Sequence, residues 1–379
     1  MKLTTFAALA AVTVAVAGGA YWAAQQRDAH IADPWQRQAL YPGLLERLND
    51  VTSLRIATQA DGPLTMTKSG DAWTLAEANG YAVDFAKIRQ TLVELSSMET
   101  LEPKTQKPEN YAALRVEDVE VPDGKTSGST RVTAKAGDAV LVDMLVGLTR
   151  PADVGAGVFV RKAGENQVWL ATGSYQPNPK ALQWLDRNVV NVDSRRIAEV
   201  VVSHPDGDTY KVAKPEMGSE DMAYASPVPE AQSPKPVHEM NNMASVTDFL
   251  IFEEVVPASQ IKWEAPQVVS TYRTYDGVLV TITAMKAADN KTWVQVAASV
   301  VPRADGIDAY VAENKGKDSM AGRIADQFIA ADAVSGAIDA INKRVGGWAY
   351  RLTDYKSGKV MQRSTDMLQE AGKEAGKAN

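Results

Sequence analysis

The sequence predicts an α+β fold, in which two related units of antiparallel strands with packed helices follow one N-terminal hydrophobic helix. Three observations support this prediction: an uncharged stretch opens the chain, short alternating runs are separated by glycine-containing turns, and the order strands, helix, strands occurs twice. The chain has 379 residues, of which 45% are hydrophobic and 23% are charged. This length favours two folded units over one, and this composition is sufficient for a buried core.

Residues 1–28 are predicted to be a signal anchor or a signal peptide. Lys2 provides a positive start, and residues 3–24 then run without a charge for roughly the 20 residues that cross a bilayer. Tyr21 and Trp22 stand near the far end, where amphipathic rings favour the membrane interface. We favour an uncleaved anchor, which predicts a single-pass protein of the bacterial inner membrane with a periplasmic C-terminal region.

The alternative for this segment is cleavage. Ala15-Val16-Ala17 is similar to a small-residue cleavage site, and the alanine-rich stretch is only marginally hydrophobic. Cleavage near Ala17 would leave a soluble periplasmic protein. Both alternatives place the remaining chain outside the cytoplasm.

The first unit is predicted over residues 29–192. Alternating residues within 51–75 predict three strands, and Asp84 is predicted to be the N-cap of the helix that follows. That helix carries apolar residues on one face: Phe85, Ile88, Leu92, Leu95 and Met98. Four further strands are predicted at 130–135, 140–146, 158–162 and 168–171. The unit closes with Trp184, Leu185, Asp186 and Arg187.

The second unit is predicted over residues 193–368, with a flexible tail at 369–379. Strands at 197–202 and 209–213 lead into a Pro-rich loop, 214–236, which is expected to be exposed and irregular. A helix then presents Met240, Met243, Val246 and Leu250 on one face. Strands follow at 268–275, 278–285 and 293–300. One or two further helices are marked by Ile324, Phe328, Ile338, Ile341 and Val345.

The element order of the first unit thus recurs in the second. The stretch from Trp348 to Arg351 is predicted to end the second unit as the Trp184 segment ends the first. Duplication of one unit explains the recurrence, and chance repetition of a common element order is the alternative.

Composition excludes several classes of function. The formal charge of -7 and the even scatter of Lys and Arg leave no basic stripe, so no nucleic-acid partner is predicted. The chain has no cysteine, which removes disulfides, thiolate metal ligands, a catalytic thiol and the lipid-modified cysteine of a lipoprotein. No cofactor and no metal site are predicted.

Histidine and phosphate-loop patterns provide no convincing site. His30, His204 and His238 are scattered, and no H-E-x-x-H occurs. Gly124-Lys125-Thr126 is similar to the end of a phosphate loop, but Val119 stands where that motif needs a glycine. These residues are therefore predicted to be surface or structural.

One short motif and several carboxylates remain as candidates for chemistry. Ser259 and Lys262 match S-x-x-K, in which lysine lies one helical turn from a nucleophile, but the companion motifs are missing and the surroundings are strand-like. The acidic pairs are expected to be solvated: Glu253 with Glu254, and Asp206 with Asp208. Ser259→Ala is accordingly predicted to leave function intact.

Tryptophans within strand patterns are predicted to belong to the core, because each can bury a large apolar area. They are Trp73, Trp169 and Trp293. A carbohydrate-stacking surface is the alternative role for such residues.

A series of motifs occurs in order between residues 41 and 215. They are 41–51, Trp73 with 80–84, 102–105 with 111–114, 158–162, 168–171 and 184–187. In this order they resemble a bacterial envelope family known as domain of unknown function forty-three-forty. The sequence departs from the family at Ala82, where Pro is commoner, and at Leu114-Arg115, where Leu-Gly is commoner.

The resemblance implies an accessory role at the envelope, because members are frequently encoded beside an ABC transporter and a gliding-motility-type auxiliary protein. It transfers no catalytic residue. The family-signature residues are predicted to be structural: Trp73, Tyr81, Asp84, Trp169, Trp184, Asp186 and Arg187.

The function predicted from the sequence is that of a non-enzymatic periplasmic protein. It is expected to contact the membrane through residues 3–24 and to bind an envelope protein partner such as an ABC transporter complex. An envelope hydrolase or a glycan-binding module is the alternative.

Overall fold

The computed structural model describes residues 36–120, 126–151, 155–264 and 267–371. The described chain is α+β, with two large antiparallel sheets and several helices, which confirms the predicted fold class. The hydrophobic helix predicted at residues 3–24 lies outside these ranges. Among the described helices, none is long and apolar enough to cross a membrane.

The described chain divides into two compact units. The first unit contains the described residues up to Trp73 together with Phe85–Lys180, and the second contains Thr74–Asp84 together with the described residues from Ala181 onward. The predicted boundary at residue 192 falls inside the second unit. Segment 74–84 belongs to the second unit although its neighbours on both sides belong to the first, which linear inspection of the chain does not reveal.

The first unit is organised around an antiparallel sheet. The following list gives the helices and strands in chain order and includes the short strand β4, which follows β3. They are β1 Ser53–Thr58, β2 Gly62–Ser69, β3 Ala72–Leu75, β4 Tyr81–Ala82, α1 Phe85–Ser96, β5 Thr100–Pro103, α2 Tyr111–Leu114, β6 Thr130–Ala136, β7 Ala139–Arg150, β8 Gly157–Lys162 and β9 Val168–Ala171. The strand order is β3-β2-β1-β6-β7-β8-β9-β5, and β4 pairs with the last two residues of β3.

Side-chain periodicity explains most of this unit. Alternate residues of β1 are buried, and α1 buries Ile88, Leu92 and Leu95 at helical spacing, as predicted. Phe85 shares this spacing but is 58% exposed. The first residue of α1 projects from the helix end, where the spacing rule cannot tell whether neighbouring structure covers it. Met98 is buried, but it lies beyond the end of α1.

The second unit contains the remaining elements. They are β10 Asn188–Val190, β11 Ile197–Ser203, β12 Thr209–Ala213, β13 Ala223–Tyr224, β14 Gln232–Pro234, α3 Val237–Ala244, β15 Leu250–Pro257, β16 Gln267–Thr274, β17 Val278–Lys286, β18 Thr292–Val300, α4 Ile307–Asn314, α5 Met320–Ala325, α6 Val334–Val345, β19 Trp348–Leu352, α7 Asp354–Val360 and β20 Leu368–Glu370. Its main sheet has the order β10-β15-β19-β18-β17-β16-β11-β12-β13, and β14 pairs with β20.

The two sheets share one connectivity. The second sheet contains β13-β12-β11-β16-β17-β18-β19-β15, which repeats the order of the first sheet with every strand number raised by ten. A register shift interrupts the pairing of β5 with β9 between Thr100 and Glu102, and that of β15 with β19 between Phe252 and Glu254. Thr100 lies 15 residues after the start of α1, and Phe252 lies 15 residues after the start of α3. Positions in the corresponding strands and from the helix starts onward to this register shift can therefore be matched.

A buried ion pair holds the turn between β16 and β17. Asp276 is fully buried, and the Arg196 guanidinium donates to both of its carboxylate oxygens, at 2.8 and 3.2 Å. The backbone N–H of Ile329 donates to the same carboxylate at 2.9 Å. Gly277, at φ 100°, completes the turn. Because the carboxylate has all these donors, its burial is compensated.

The helix predicted through Leu250 ends earlier. Met240 and Met243 lie on α3 and are buried, but α3 stops at Ala244 and Leu250 is the first residue of β15. Val246 lies between them in a 3₁₀ turn. All four residues face the core, and burial periodicity alone cannot distinguish one helix from a helix, a turn and a strand.

The Pro-rich segment and the tail are more ordered than predicted. Segment 214–236 contains β13 and β14, and both Lys214 and Met222 within it are buried. Gln369 and Glu370 pair with β14, so the predicted flexible tail begins too early. Residues 372–379 lie outside the described ranges. Long-range strand pairing, which composition does not report, imposes this order.

The predicted correspondence between the Trp348 and Trp184 segments is wrong. Trp348 begins β19, whose counterpart in the first sheet is β9. The counterpart of the Trp184 segment is instead β20. Each follows a 3₁₀ turn and pairs with the residues just before a helix: the backbone N–H of Asp84 donates to the carbonyl of Trp184 at 2.8 Å, and β14 pairs with β20.

Candidate functional site

Most of the family-signature residues come together in the second unit. The backbone N–H of Asp186 donates to the carbonyl of Ala82 at 3.0 Å, and Val83 forms an isolated antiparallel bridge with Leu185. This bridge brings Tyr81 and Asp84 beside Trp184. The other two signature residues lie in the first unit, where Trp73 is buried in β3 and Trp169 is only partly buried in β9. The predicted core position of Trp169 is therefore wrong, whereas that of Trp293 is confirmed by its burial.

The Tyr81 ring is enclosed by aromatic neighbours. It makes edge contacts with Phe252 at 5.3 Å and Trp348 at 4.9 Å between ring centroids. Burial raises the pKa of Tyr81 to about 12, against a weaker opposing effect of the Tyr350 hydroxyl. A phenol in this setting stays neutral at physiological pH and serves packing.

The two charged signature residues satisfy neighbouring groups. Arg187 Nε donates to the carbonyl of Phe252 at 2.9 Å. Asp186 Oδ1 accepts from the backbone N–H of Asn188 at 3.2 Å, and its other oxygen lies 3.9 Å from Arg344 Nε. These contacts fit the predicted structural role, which stays a prediction until it is tested.

The S-x-x-K motif does not assemble a nucleophile. Ser259 lies in the 3₁₀ turn Ala258–Gln260, and Ile261 then has extended geometry, with φ -98° and ψ 128°. Ser259 and Lys262 therefore do not share one α-helical turn.

The histidines and acidic pairs have ordinary partners. His204 Nε2 lies 3.0 Å from the carbonyl of Gln362, and His238 lies beside Glu239, while His30 falls outside the described residues. The acidic pairs expected to be solvated form ion pairs: Asp206 and Asp208 with Arg363, and Glu253 and Glu254 with Arg351. No group of three or more metal-binding side chains occurs within the described ranges. The phosphate-loop resemblance falls mostly in residues 121–125, outside those ranges.

The strongest candidate site is an apolar cavity in the first unit, which we call the first-unit groove. Its volume is about 440 Å³, within the roughly 300–1,000 Å³ of ligand pockets. Buried Val51, Trp73 and Leu92 are among its lining residues. Three strongly exposed side chains also line it: Leu45 at 62%, Phe85 at 58% and Val93 at 44%. Exposed large hydrophobic side chains that converge on one cavity are typical of a binding surface.

The charges of the groove have one sign. Lys68 and Arg89 line it, and the lining contains no acidic residue, although the whole chain has a formal charge of -7. Within the described part of the chain, neither side chain has an ion-pair or hydrogen-bond partner. The groove therefore combines an apolar surface with two available cations.

Three local elements position the groove. The 3₁₀ helix Leu45–Asp50 turns Leu44 inward, where it is 3% exposed, and leaves Leu45 outward. Helix α1 contributes Phe85, Arg89 and Val93 at spacings of four residues, which align along one stripe. A tight turn with Gly70 at φ 60° joins β2 to β3 and leaves the cavity open.

Sequence inspection missed this groove. Two features of the sequence could have indicated it. One is the adjacent pair Leu44-Leu45, which a short helix cannot bury together. The other is the i, i+4, i+8 spacing of Phe85, Arg89 and Val93, which forms a stripe beside the buried face of α1.

Comparison with known proteins confirms the predicted family. Residues 73–260 match the family described as Domain of unknown function (DUF4340). The match begins later than the resemblance noted from Tyr41 and extends past residue 215, and it includes the α1 side of the groove. No curated protein and no solved structure matches the chain.

Proposed function

We propose that this protein is a membrane-tethered accessory protein of the bacterial periplasm that binds another envelope component through the first-unit groove. The observation that carries the proposal is the convergence of Leu45, Phe85 and Val93 on a cavity edged by Lys68 and Arg89. An apolar surface of this kind gains free energy when a partner covers it. An ABC transporter complex is the first partner to test, because the family resemblance implies that neighbourhood.

A pull-down with the full chain tests the groove. The parent, Phe85→Asp and Val140→Asp are purified from solubilised membranes and their co-purifying proteins compared. Val140 is the matched control, because it is 54% exposed in the same unit but does not line the groove. We expect one set of envelope proteins with the parent and with Val140→Asp, and its loss with Phe85→Asp. Recovery of the same set by all three proteins would contradict the proposal.

The tether is proposed from the sequence of residues 3–24 and the positive start. A reporter enzyme active only in the periplasm, fused after residue 379, should be active, and a cytoplasm-only reporter at the same site should be silent. The mass of the mature N-terminus then separates an uncleaved anchor from cleavage near Ala17. Activity of the cytoplasmic reporter would exclude this topology.

We also infer that the two units are copies of one ancestral fold. The support is their identical strand connectivity and the register shift at matched positions after α1 and α3. A common element order alone does not require a shared irregularity at the same place.

Saccharide binding is a second candidate function, favoured by a different cavity in the second unit. This cavity, of about 490 Å³, is lined by planar polar side chains and by Phe249. Phe249 is 72% exposed and has φ 45°, which is rare for a bulky residue, and Asn191 Oδ1 accepts its backbone N–H at 3.1 Å. An exposed ring beside amides and carboxylates can stack on a sugar.

Titration of the full chain with diacetylchitobiose tests this second candidate. Saturable binding that Phe249→Ala abolishes and Phe85→Ala preserves would support it. Equal binding by both variants would exclude this cavity.

A further inference from the structure

The first-unit groove has a counterpart in the second unit. In the first sheet Leu54 pairs with Met66, and in the second sheet Val200 pairs with Val212. Counting outward from these pairs and from the starts of α1 and α3 matches the lining residues. The matched positions are Leu48 with Ser194, Asn49 with Arg195, Lys68 with Lys214, Arg89 with Asn241, Leu92 with Ala244, and Val93 with Ser245.

The counterpart cavity is smaller, at about 170 Å³ against about 440 Å³. Its two additional lining residues are Glu220 and Met222, which belong to the chain between β12 and β13. Asn241 on α3 accepts the backbone N–H of Met222 at 2.8 Å and donates to Asp221 Oδ1 at 2.7 Å. The second unit thus lays an acidic stretch of its own chain against the helix position that Arg89 takes in the first unit.

The two matched lysines, Lys68 and Lys214, differ in exposure. Lys214 is 8% exposed, and its Nζ donates to the carbonyl of Arg195 at 2.9 Å. Lys68 is exposed. The reason lies in loop length: residues 214–222 join β12 to β13, whereas only Gly70 and Asp71 separate β2 from β3. Between β2 and β3, the first unit has no segment long enough to cover the groove as residues 214–222 do in the second unit.

The exposed apolar positions differ in the same direction. Phe85 and Val93 on α1 correspond to Val237, the first residue of α3, and to Ser245, just after that helix, and Leu45 corresponds to Asn191. The first unit therefore presents larger apolar side chains where the second presents smaller or polar ones. A ligand of the groove must therefore cover apolar surface and also pair with two cations.

From this comparison of the two units, we propose that the first-unit groove binds a segment of a partner protein that carries carboxylates and bulky apolar side chains. The bound segment would occupy the position that Glu220 and Asp221 hold in the second unit. Its acidic side chains pair with Lys68 and Arg89, and its apolar side chains cover Leu45, Phe85 and Val93. This inference rests on the proposed function, because it specifies the chemistry of the bound component.

Two labelled decapeptides test the occupant on the full chain in detergent. One contains three Leu, two Glu and one Asp in a Gly and Ser background, and the other has Lys in place of each acid. Fluorescence anisotropy measures their binding to the parent, to Lys68→Glu, to Arg89→Glu and to Lys107→Glu. Lys107 is an exposed cation of the same unit outside the groove, so it controls for net charge.

We expect saturable binding of the acidic peptide and at least tenfold weaker binding of the basic one. Lys68→Glu and Arg89→Glu should each weaken the acidic peptide about tenfold and strengthen the basic one, while Lys107→Glu should behave like the parent. Equal affinity for both peptides, or equal effects of all three substitutions, would overturn the inference. Binding to phosphatidylglycerol vesicles that competes with the acidic peptide would also overturn it, because the occupant would then be lipid.

The pull-down separates this inference from the proposed function. If Phe85→Asp loses its partner proteins but the peptides show no charge preference, the accessory function stands and the acidic occupant is wrong. If the pull-down finds no groove-dependent partner, the proposed function itself fails, whatever the peptides do.

Discussion

The two units of this protein have the same strand order but differ in what covers the matched cavity. In the second unit, the loop between β12 and β13 reaches α3, and Lys214 at the start of that loop is buried. In the first unit, the tight turn between β2 and β3 leaves Lys68 and Phe85 exposed. Strand connectivity therefore does not indicate function here, because one unit covers the matched surface with its own loop and the other leaves it exposed.

The second unit also stabilises its β16–β17 turn by a charge pair that has no equivalent at the matched turn among the described residues of the first unit. Asp276 is fully buried against Arg196, whereas Asp138, at the corresponding turn between β6 and β7, is exposed. Two turns of the same topology thus rely on different interactions, and substitutions at matched sites should reveal the difference.

The largest expected effect is at this turn. Asp276→Ala leaves the Arg196 guanidinium buried without its partner and should lower the free energy of unfolding by about 3 to 5 kcal/mol. Asp138→Ala, at the exposed matched turn, should change it by less than about 0.5 kcal/mol. Urea unfolding followed by circular dichroism measures both. Equal effects would mean that the two turns are equivalent after all.

An effect of similar size is expected where the Trp184 segment corresponds to β20. Trp184 is 5% exposed, so Trp184→Ala should cost about 3 to 5 kcal/mol through the cavity it leaves. Leu368→Ala, at a buried position of β20, should cost about 2 to 4 kcal/mol. Thermal unfolding and the groove pull-down are measured together. A Trp184→Ala protein that melts like the parent but loses its partners would identify Trp184 as a recognition residue.

The matched lysines should differ in pH dependence. Burial lowers the pKa of Lys214 from 10.5 to about 8. Between pH 8 and 10.5 the unfolded chain therefore binds more protons than the folded one, so this lysine makes stability rise with pH in that window and weakens the fold below it. Lys214→Met should abolish that rise. Near pH 7 it should stabilise the protein by about 1 to 2 kcal/mol, once the cost of losing the hydrogen bond to the Arg195 carbonyl is subtracted.

Lys68→Met provides the control, because that side chain is exposed in the open groove. Urea unfolding at pH 7.5, 8.5 and 9.5 should show the parent slope in Lys68→Met and a flatter slope in Lys214→Met. A flatter slope in both variants would show that the two sites are not distinguished by burial.

The smallest expected effect is at Phe249. Its φ of 45° is strained for a bulky side chain, and its ring is mostly exposed, so Phe249→Gly should stabilise the protein by about 0.5 to 1 kcal/mol. Ser97→Gly, at the matched position after α1, should be slightly destabilising, because the backbone there has no positive φ to relieve. Differential scanning calorimetry can resolve the opposite signs, and a loss of stability in Phe249→Gly would mean that the ring contributes packing.

Much of the fold could be predicted from local pattern. Strands such as β7, β8 and β17 were predicted from alternation and turn residues, and the buried face of α1 from the spacing of Ile88, Leu92 and Leu95. The helix predicted through Leu250 and the irregular loop predicted over 214–236 were wrong, because distant strands decide where those segments pair.

The candidate site was not predictable in the same way. Phe85 continues the apolar spacing of the buried residues of α1, yet no described segment of the first unit covers it. Lys68 and Lys214 both end a β-strand pattern and look alike in the sequence, although one is exposed and the other buried. Their difference depends on a loop in only one unit, which is a tertiary property.

The sequence by itself determined the α+β class, the positions of most strands, the family and the absence of cysteine chemistry, because each depends on composition or on neighbours a few residues apart. Only the tertiary structure decided that both sheets share one connectivity, that segment 74–84 joins the second unit, and that the first-unit groove stays open. Strand pairing and burial bring together residues that are far apart along the chain, so the sequence pattern identifies apolar side chains without showing which of them remain uncovered.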